Sequence, residues 1–232
     1  INNELIENFR VNKILAFRGL KQQAIDSAEA GDIVSLAGMS KATVADTIAD
    51  QSVEDPIPAQ PIDPPTITVT FGINDSPLAG RDGKKVQSRV IRDRLLKECE
   101  SNVAIKMVDT PGGEAFDVSG RGELQMGVLI ENMRREGFEL SISRPRVIYK
   151  DVDGVKNEPI EEVTIDVDEE FSGAVIEKLS SRKGEMVDLK SSGSGKTRII
   201  ALVPSRGLIG YHSEFMTDTR GTGILNRVFH SW

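Results

Sequence analysis

Residues 117–147, DVSGRGELQMGVLIENMRREGFELSISRPRV, change from the period of a strand to the period of a helix. A short alternating run that contains Val118 is interrupted at Gly120 and Gly122. Apolar side chains then recur at helical spacing, at Leu124, Val128, Leu129 and Met133. We therefore predict a strand followed by a helix that begins near Glu123, because the helix dipole favours a carboxylate in the first turn.

The same stretch contains the end of this helix and the start of another strand. Gly137 follows two arginines, and a glycine directly after a basic final turn is typical of a helix C-terminus. Leu140 and Ile142 then alternate as in a strand. Pro145 should close that strand, because proline has no backbone N–H to donate to a central ladder.

Residues 119–147 resemble the third domain of the elongation factor G type of translational GTPase, and within that group they most resemble the TypA/BipA proteins. Two later runs resemble the fifth domain of the same factors: EPIEEVTIDVDEEFSGAVIEKLSSRKGEMVDL at 158–189 and PSRGLIGYHSEFMTDTRGTG at 204–223. The resemblance extends through nearly the whole chain. It implies a C-terminal fragment of a ribosome-associated GTPase, beginning inside the second-domain β-barrel and stopping where the family's extra C-terminal domain would begin.

The composition is that of an ordinary soluble globular protein: 232 residues, 38% of them hydrophobic and 28% charged. No apolar run approaches the roughly 18 residues of a membrane span, and the first residues do not resemble a signal peptide. We therefore expect a cytoplasmic protein with no membrane partner. A single cysteine, Cys99, excludes an internal disulfide, and His212 and His230 lack zinc-ligand spacing, so we expect no metal.

Charge is unevenly distributed along the chain. The net charge of −7 argues against binding of DNA or of nonspecific nucleic acid by the chain as a whole. Residues 1–64 carry 5 basic and 10 acidic side chains, residues 65–145 carry 12 of each, and residues 146–232 carry 12 and 14. Any RNA contact should therefore be a local patch, and the middle segment has the highest basic density.

The N-terminal quarter of the chain is predicted to be a domain remnant and a linker. Residues 1–50 contain strands at 11–17 and 33–36 and resemble the last strands of the second-domain barrel, so we expect a partial β-barrel. Residues 51–65 contain five prolines and are expected to form a stiff linker, although an ordinary long loop is the alternative.

Residues 66–145 are predicted to form a ferredoxin-like domain with the order β-α-β-β-α-β. Its predicted elements are a strand at 66–73, a helix at 84–100, strands at 103–108 and 115–118, the helix that begins near Glu123 and a strand at 139–143. Cys99 lies on the apolar face of the first helix, so we expect a core residue rather than a nucleophile.

Residues 146–232 repeat this order and are predicted to form a second ferredoxin-like domain. Ser172 is expected to cap its first helix, and Gly184 to end that helix. The other predicted elements are strands at 161–167, 186–189, 197–203 and 223–229 and a helix at 208–216. The predicted fold class is therefore α+β, with two ferredoxin-like domains preceded by the barrel remnant.

Three short motifs suggest a nucleotide or metal site, and the residues around them argue against it. GSGKT at 193–197 lacks the first glycine of a phosphate-binding loop and is predicted to be a hairpin turn. DTPG at 109–112 precedes GSGKT, the reverse of the order in GTPases, and no Asn-Lys-x-Asp guanine reader occurs. DVDEE at 166–170 lacks the central glycine of a calcium loop. We predict no cofactor and no GTP hydrolysis in this chain, whereas the resemblance implies GTP and Mg²⁺ in the N-terminal domain of the parent.

A group of basic and aromatic residues is the candidate RNA-binding site. Its members are Arg81, Lys84, Lys85, Arg89, Arg92, Arg206, Tyr211 and Arg220. On the predicted helix, positions 85, 89 and 92 would share one face, and Tyr211 with His212 would offer rings on which bases stack. A solvated charged face and an exposed helix edge are the alternatives. The resemblance implies contacts with ribosomal RNA and protein, no catalytic residue, and a monomeric fragment.

Of three functions compatible with the sequence, the first is favoured. The resemblance implies the ribosome-binding region of a GTP-binding translation factor, active in translation under stress and in large-subunit assembly. A small-molecule-sensing module is the second interpretation, because paired ferredoxin-like domains also bind ligands and fold does not determine function; it predicts an apolar pocket. The third, a nucleotide enzyme, requires affinity for GTP or ATP in this chain.

Overall fold

The computed structural model describes residues 5–53, 55–59, 62–191, 193 and 195–232. The chain divides into two compact units, Ile1–Ile62 and Asp63–Trp232. The division lies within the proline-rich segment 51–65, whose described residues form neither helix nor strand. The chain mixes helices with antiparallel sheets, in agreement with the predicted class. Within the described residues, no helix is long and apolar enough to cross a bilayer.

The first unit contains a three-stranded antiparallel sheet in the order β2-β1-β3. Its strands are β1 (Lys13–Arg18), β2 (Lys21–Ile25) and β3 (Val34–Ala37). The predicted strands at 11–17 and 33–36 correspond to β1 and β3, with ends shifted by one or two residues. Ala16, which is 8% exposed, is the only apolar residue described in this unit that is buried, so the sheet packs on very little core.

The first half of the second unit, residues 63–147, is a sheet covered on one face by two helices. Its elements are β4 (Ile67–Ile73), α1 (Ser88–Ser101), β5 (Lys106–Asp109), β6 (Ala115–Gly120), α2 (Glu123–Arg135), β7 (Leu140–Ile142) and β8 (Arg146–Val147). The strand order is β5-β6-β4-β7, and β8 also pairs with β4. The order along the chain up to β7 is therefore β-α-β-β-α-β.

Alternation along the strands decides which face of this first sheet is buried. The core side chains are apolar residues of β4, β6 and both helices: Ile67, Val69, Phe71, Ile91, Leu95, Phe116, Val118, Met126, Leu129 and Met133. Cys99 packs partly against them, as predicted. The opposite face carries hydroxyls instead, with Thr68 and Ser119 hydrogen-bonded at 2.5 Å and Thr70 donating to Asp117 at 2.6 Å.

The second half, residues 148–232, has a small hairpin followed by a second sheet. Its elements are β9 (Lys150–Val152), β10 (Val155–Asn157), β11 (Ile160–Asp168), α3 (Glu169–Ser181), β12 (Glu185–Ser191), β13 (Lys196–Pro204), α4 (Ser205–Leu208), α5 (Tyr211–Asp218) and β14 (Ile224–Ser231). The large sheet has the order β12-β13-β11-β14. This order repeats that of the first sheet strand for strand.

The core of the second half is built by the same alternation. In the central strands β11 and β13 every second residue is buried, and the helices add Val175, Leu179 and Phe215. Ile209, between α4 and α5, packs against the core of the first half. Glu123 at the start of α2 accepts hydrogen bonds from the Gly210 N–H at 3.0 and 3.2 Å. These contacts join the two halves into one unit.

The predicted helix at 84–100 is wrong at its N-terminal end. Residues 84–87 are not helical, and α1 begins at Ser88. Lys85 instead forms a bridge with Phe138, its N–H donating to the Gly137 carbonyl at 3.1 Å. These tertiary hydrogen bonds outweigh the helical periodicity of the segment, because they satisfy the backbone in an extended conformation.

Two helix predictions in the second half are also wrong. Ser172 does not cap α3, which begins at Glu169 with Asp168 as its N-cap residue; the Ser172 hydroxyl donates to the Glu169 carbonyl at 2.7 Å. The predicted helix at 208–216 is two short helices, because Gly210 has a φ of 72°, a left-handed conformation that interrupts the helical ladder.

The β9–β10 hairpin was not predicted, although the sequence carries its signal. Its turn residues, Asp153 and Gly154, have φ values of 53° and 78°. Two consecutive left-handed residues are the requirement of a tight hairpin turn, and Asp-Gly is a preferred pair for it. The dipeptide at 153–154 was therefore sufficient to predict this turn.

Candidate nucleic-acid interface

Four of the predicted RNA-binding residues lie at the start of α1 and in the loop before it. Arg81 and Arg89 are exposed, and neither makes an ion pair with any described residue. Lys84 donates from Nζ to the Gly80 carbonyl at 3.2 Å, which leaves its charge without a carboxylate partner. Lys85 places Nζ 4.6 Å from the centre of the Phe138 ring, a cation–π contact that holds the ammonium group near the chain surface.

Arg92, the fifth basic residue of this group, is neutralised within the protein. Its Nε and terminal nitrogen donate to the two oxygens of Asp109 at 2.9 and 3.0 Å. The pair raises the pKa of Arg92 and lowers that of Asp109, in both cases mainly through the hydrogen bonds. A bidentate pair of this kind competes with phosphate for the guanidinium group. No pattern in the sequence indicates this pairing.

Arg206 and Arg220 lie in the second half, in different surroundings. Arg206 donates from Nε to Glu158 at 2.6 Å, and this hydrogen bond raises its pKa. Arg220 is exposed, and its guanidinium carbon lies 5.5 Å from the centre of the Phe171 ring. Of these two predicted residues, Arg220 alone is without a carboxylate partner among the described residues.

Tyr211 is the one predicted residue whose proposed role the structure contradicts. Its side chain is 1% exposed and packs in the second core, 6.0 Å from Phe215 between ring centres. Burial, together with the nearby Asp218 carboxylate, raises the pKa of the Tyr211 hydroxyl to about 12. A buried ring cannot stack on a base. Tyr211 and the exposed His212 therefore do not form the predicted base-stacking surface.

The remaining cations of the second half are largely paired. On its helical side, Glu214 accepts hydrogen bonds from Lys178 and from Arg182, the latter at 2.5 Å. On the sheet, Arg198 donates to both oxygens of Asp166 at 2.7 and 2.8 Å. Paired surface charges release few counterions when they meet an anion. Of the predicted RNA-binding residues, those without a carboxylate partner among the described residues lie in loop 74–87 and the first turn of α1, with Arg220 as the exception.

The motifs that resemble a nucleotide site do not have its geometry. Asp109 of DTPG is occupied by Arg92, and Thr110 donates through its hydroxyl to the Ala115 carbonyl at 2.8 Å, closing the turn between β5 and β6. Lys196 and Thr197 of GSGKT are strand residues of β13, with Thr197 95% buried, and this strand continues to Pro204, so no helix begins at the motif. Ser192 and Ser194 lie outside the described residues. DTPG therefore forms a turn between strands, and the described residues of GSGKT lack the loop-to-helix geometry of a phosphate-binding loop.

In the part of the chain that the structure describes, acidic, cysteine and histidine side chains do not cluster as in a metal site, whereas a cleft of mixed lining lies between the two halves. The described residues contain no group of three or more His, Cys, Asp or Glu side chains placed to hold a metal ion. DVDEE at 166–170 is split between β11 and α3, as expected of a strand end leading into a helix. A cleft of about 600 Å³ between the two halves is lined by apolar side chains, among them Leu124 and Phe229, together with the charged Arg121, Glu161 and Arg227.

Sequence comparisons link the chain to translation factors. The profile of the family described as elongation factor G C-terminus matches residues 155–232. The chain is 50% identical over 226 residues to the large ribosomal subunit assembly factor BipA of Bacillus subtilis, 97% of this chain and 37% of the relative. The BipA proteins of Escherichia coli K12 and Haemophilus influenzae are 49% and 50% identical over 96% and 95% of the chain. The chain thus spans little more than a third of these relatives.

Proposed function

We propose that this chain, which belongs to the BipA family of elongation factor G-like proteins, is the region of a ribosome-associated translational GTPase that docks on the ribosome. The observation that carries the proposal is identity of about 50% to large ribosomal subunit assembly factors over 97% of the chain. The local excess of unpaired cations before and within α1 supports it, because ribosomal RNA presents a dense array of phosphates.

The finer domain assignment is part of this proposal. Residues 66–145 and 146–232 would be the ferredoxin-like third and fifth domains of an elongation factor G-like protein. Their identical strand order and the family match at 155–232 support this assignment. The three-stranded sheet of residues 1–50 would be a β-barrel remnant, with 51–65 as the linker.

GTP and Mg²⁺ would be bound by another region of the longer relatives. The pairing of Asp109 with Arg92 and the strand conformation of Lys196 and Thr197 support this division of labour. These 232 residues would then supply docking and orientation and would not hydrolyse GTP. Calorimetry with GTP and the purified chain tests this directly, and micromolar or tighter binding would contradict it.

The partners we propose are ribosomal RNA and ribosomal proteins, met by a monomeric chain in the cytoplasm, with no role for DNA or membranes. The family relationship supports a place in assembly of the large subunit and in translation under stress. The contact residues we propose are Arg81, Lys84, Lys85 and Arg89, with smaller contributions from Arg92, Arg206 and Arg220. Tyr211 is no longer among them.

Sedimentation with purified ribosomes tests the docking proposal. The affinity for ribosomes is calculated from the fraction of the chain that pellets. If about five phosphates are neutralised, this affinity should fall about a hundredfold or more between low and physiological salt. A monodisperse, folded chain that fails to pellet at low salt would refute docking. Pelleting that does not depend on salt would refute the phosphate contacts.

A further inference from the structure

One carboxylate organises the loop that carries the unpaired cations. Glu139, just before β7, accepts hydrogen bonds through Oε2 from the backbone N–H groups of Gly80 and Gly83, at 2.8 and 3.2 Å. Its Oε1 accepts from Asn74 Nδ2 at 2.6 Å. Three donors from one loop, 56 to 65 residues earlier in the chain, therefore converge on a single side chain. Backbone groups converging in this way form a typical anion nest, here filled from within.

The hydrogen bonds extend from this carboxylate to both ends of the loop. At the N-terminal end, Asn74 accepts from the Ser76 N–H through Oδ1 at 3.0 Å while its amide nitrogen donates to Glu139. At the C-terminal end, the Glu139 N–H donates to the Lys85 carbonyl at 3.4 Å. Loop 74–85 is therefore fixed at its start, its middle and its end by one residue.

Glu139 remains charged over the pH range of interest. Partial burial acts to raise its pKa, but the hydrogen bonds from Gly80, Gly83 and Asn74 outweigh burial, so the pKa lies below its ordinary value. A charge-assisted hydrogen bond to a carboxylate is stronger than a neutral one. The loop is thus held by an anion that persists at neutral pH.

Close packing leaves the loop little freedom. A Cβ atom on Gly83 would lie 2.7 Å from the Gly137 carbonyl oxygen, so only glycine fits this approach. Gly80 has a φ of 84°, which disfavours other residues. Between these two glycines, Arg81 and its neighbour Asp82 are exposed. The backbone is fixed while the cationic side chain remains free to meet a phosphate.

We propose that Glu139 is a positioning residue for RNA binding, holding loop 74–85 so that Arg81 and Lys84 face one stretch of phosphodiester backbone. This inference rests on the proposed function. Coulomb repulsion alone would make a carboxylate beside a phosphate site unfavourable. Glu139 opposes binding through its charge and favours it through the order that it imposes on the loop. The two effects have opposite signs, so a single neutral substitution distinguishes them.

The test compares Glu139→Gln with Glu136→Gln, a matched control that removes the same charge three residues away, from a carboxylate paired with Arg94. Binding of a short fluorescein-labelled hairpin RNA is measured by anisotropy at several salt concentrations. Glu139→Gln should weaken binding about tenfold, because glutamine replaces one acceptor oxygen by an NH2 group that cannot accept from Asn74, so the three donors are no longer all satisfied and the loop populates other conformations. Glu136→Gln should bind as tightly as the parent sequence or slightly more tightly.

Two further measurements keep the result interpretable. Amide hydrogen exchange at Gly80 and Gly83 should accelerate in Glu139→Gln while the thermal midpoint of the whole unit changes little. If Glu139→Gln does not fold, Asn74→Ala removes one donor from the same carboxylate and should weaken RNA binding in the same direction. Equal or tighter RNA binding by a folded Glu139→Gln protein overturns the inference and leaves docking intact. Absence of RNA binding by the parent sequence overturns the proposed function itself.

Discussion

The two halves of residues 63–232 share a strand order and differ in how they use their positive charge. In the second half, Lys178, Arg182 and Arg198 are bound to carboxylates on the same half. In the first half, Arg81 and Arg89 have no such partner among the described residues. The fold is therefore common to both halves, and the placement of carboxylates decides which of the predicted RNA-binding cations remain free to meet an RNA partner.

The consequence is physical rather than topological. A cation that already holds a carboxylate must break that contact to bind phosphate, whereas a solvated cation exchanges only water and counterions. We therefore expect the first half to dominate RNA affinity although both halves are close to neutral in net charge. Four experiments test or refine this difference.

The largest expected effect is on stability and tests whether the halves unfold separately. Phe116 and Phe215 are each 0% exposed, one in each core. Phe116→Ala and Phe215→Ala should each cost about 3–5 kcal/mol, the usual cost of emptying an aromatic site in a core. Because Glu123 and Ile209 join the halves, both variants should lower one shared calorimetric transition. Two separate transitions, each sensitive to one variant, would show that the halves are independent domains.

The second experiment removes free cations from either half. Replacing Arg81, Lys84 and Arg89 together by glutamine should reduce the slope of log affinity against log salt by about three, one unit for each phosphate contact. Replacing Lys150, Lys156 and Lys183 of the second half, a change of equal charge, should reduce it by less than one. Equal losses from the two triple variants would mean that net charge, not position, governs binding.

The third experiment releases cations that are now paired. Asp109→Asn frees Arg92 in the first half, and Glu158→Gln frees Arg206 in the second. We expect Asp109→Asn to tighten RNA binding about threefold, since Arg92 lies one turn along α1 from the unpaired Arg89. Glu158→Gln should tighten RNA binding by less than half of the change expected for Asp109→Asn. Tighter binding by Glu158→Gln than by Asp109→Asn would shift the interface to the second half.

The smallest expected effect concerns the first unit, where Glu7 closes a loop as Glu139 does in the second. Glu7 accepts backbone N–H bonds from Ser40, Lys41 and Ala42, and those of Lys41 and Ala42 are the main reason that its pKa falls to about 2. The folded-state pKa lies below that of the unfolded chain. This contribution to stability is therefore fully present above about pH 4.5 and is lost as the pH falls through about 2. A carboxyl ¹³C titration of Glu7 with a midpoint near 4.5 would contradict the contact.

The sequence predicted those parts of the fold that depend on local pattern. The sequence pattern predicts both the strand alternation that buries Val118 and the helical period that places Met133 in the core. The start of α1 was not predicted correctly, because the extended path of Lys85 depends on its pairing with Phe138, distant in sequence. The break at Gly210 was missed for a different reason. The helical spacing of apolar residues continues past Gly210, whose left-handed conformation interrupts the helix.

The candidate site was less accessible to sequence reasoning than the fold. The basic residue types of Arg81, Lys84 and Arg89 were sufficient to suggest them as RNA-binding residues. Whether each is free to bind phosphate depends on which carboxylates the fold places beside it. Arg92 has the same residue type and spacing and is held by Asp109. Tyr211 has an aromatic ring of the kind that stacks on bases, but the ring is buried. Ion pairing and burial depend on the tertiary structure. The sequence alone therefore could not separate the residues that are free to bind RNA from those that are paired or buried.

Photo-crosslinking of the chain to purified ribosomes, followed by mass spectrometry of the RNA-linked peptides, measures directly where the RNA lies. We predict that crosslinked nucleotides are recovered mainly on peptides spanning residues 74–92, and that they disappear when Arg81, Lys84 and Arg89 are replaced. Recovery of crosslinks chiefly on residues 148–232, unchanged by that replacement, would contradict the assignment of the interface to the first half.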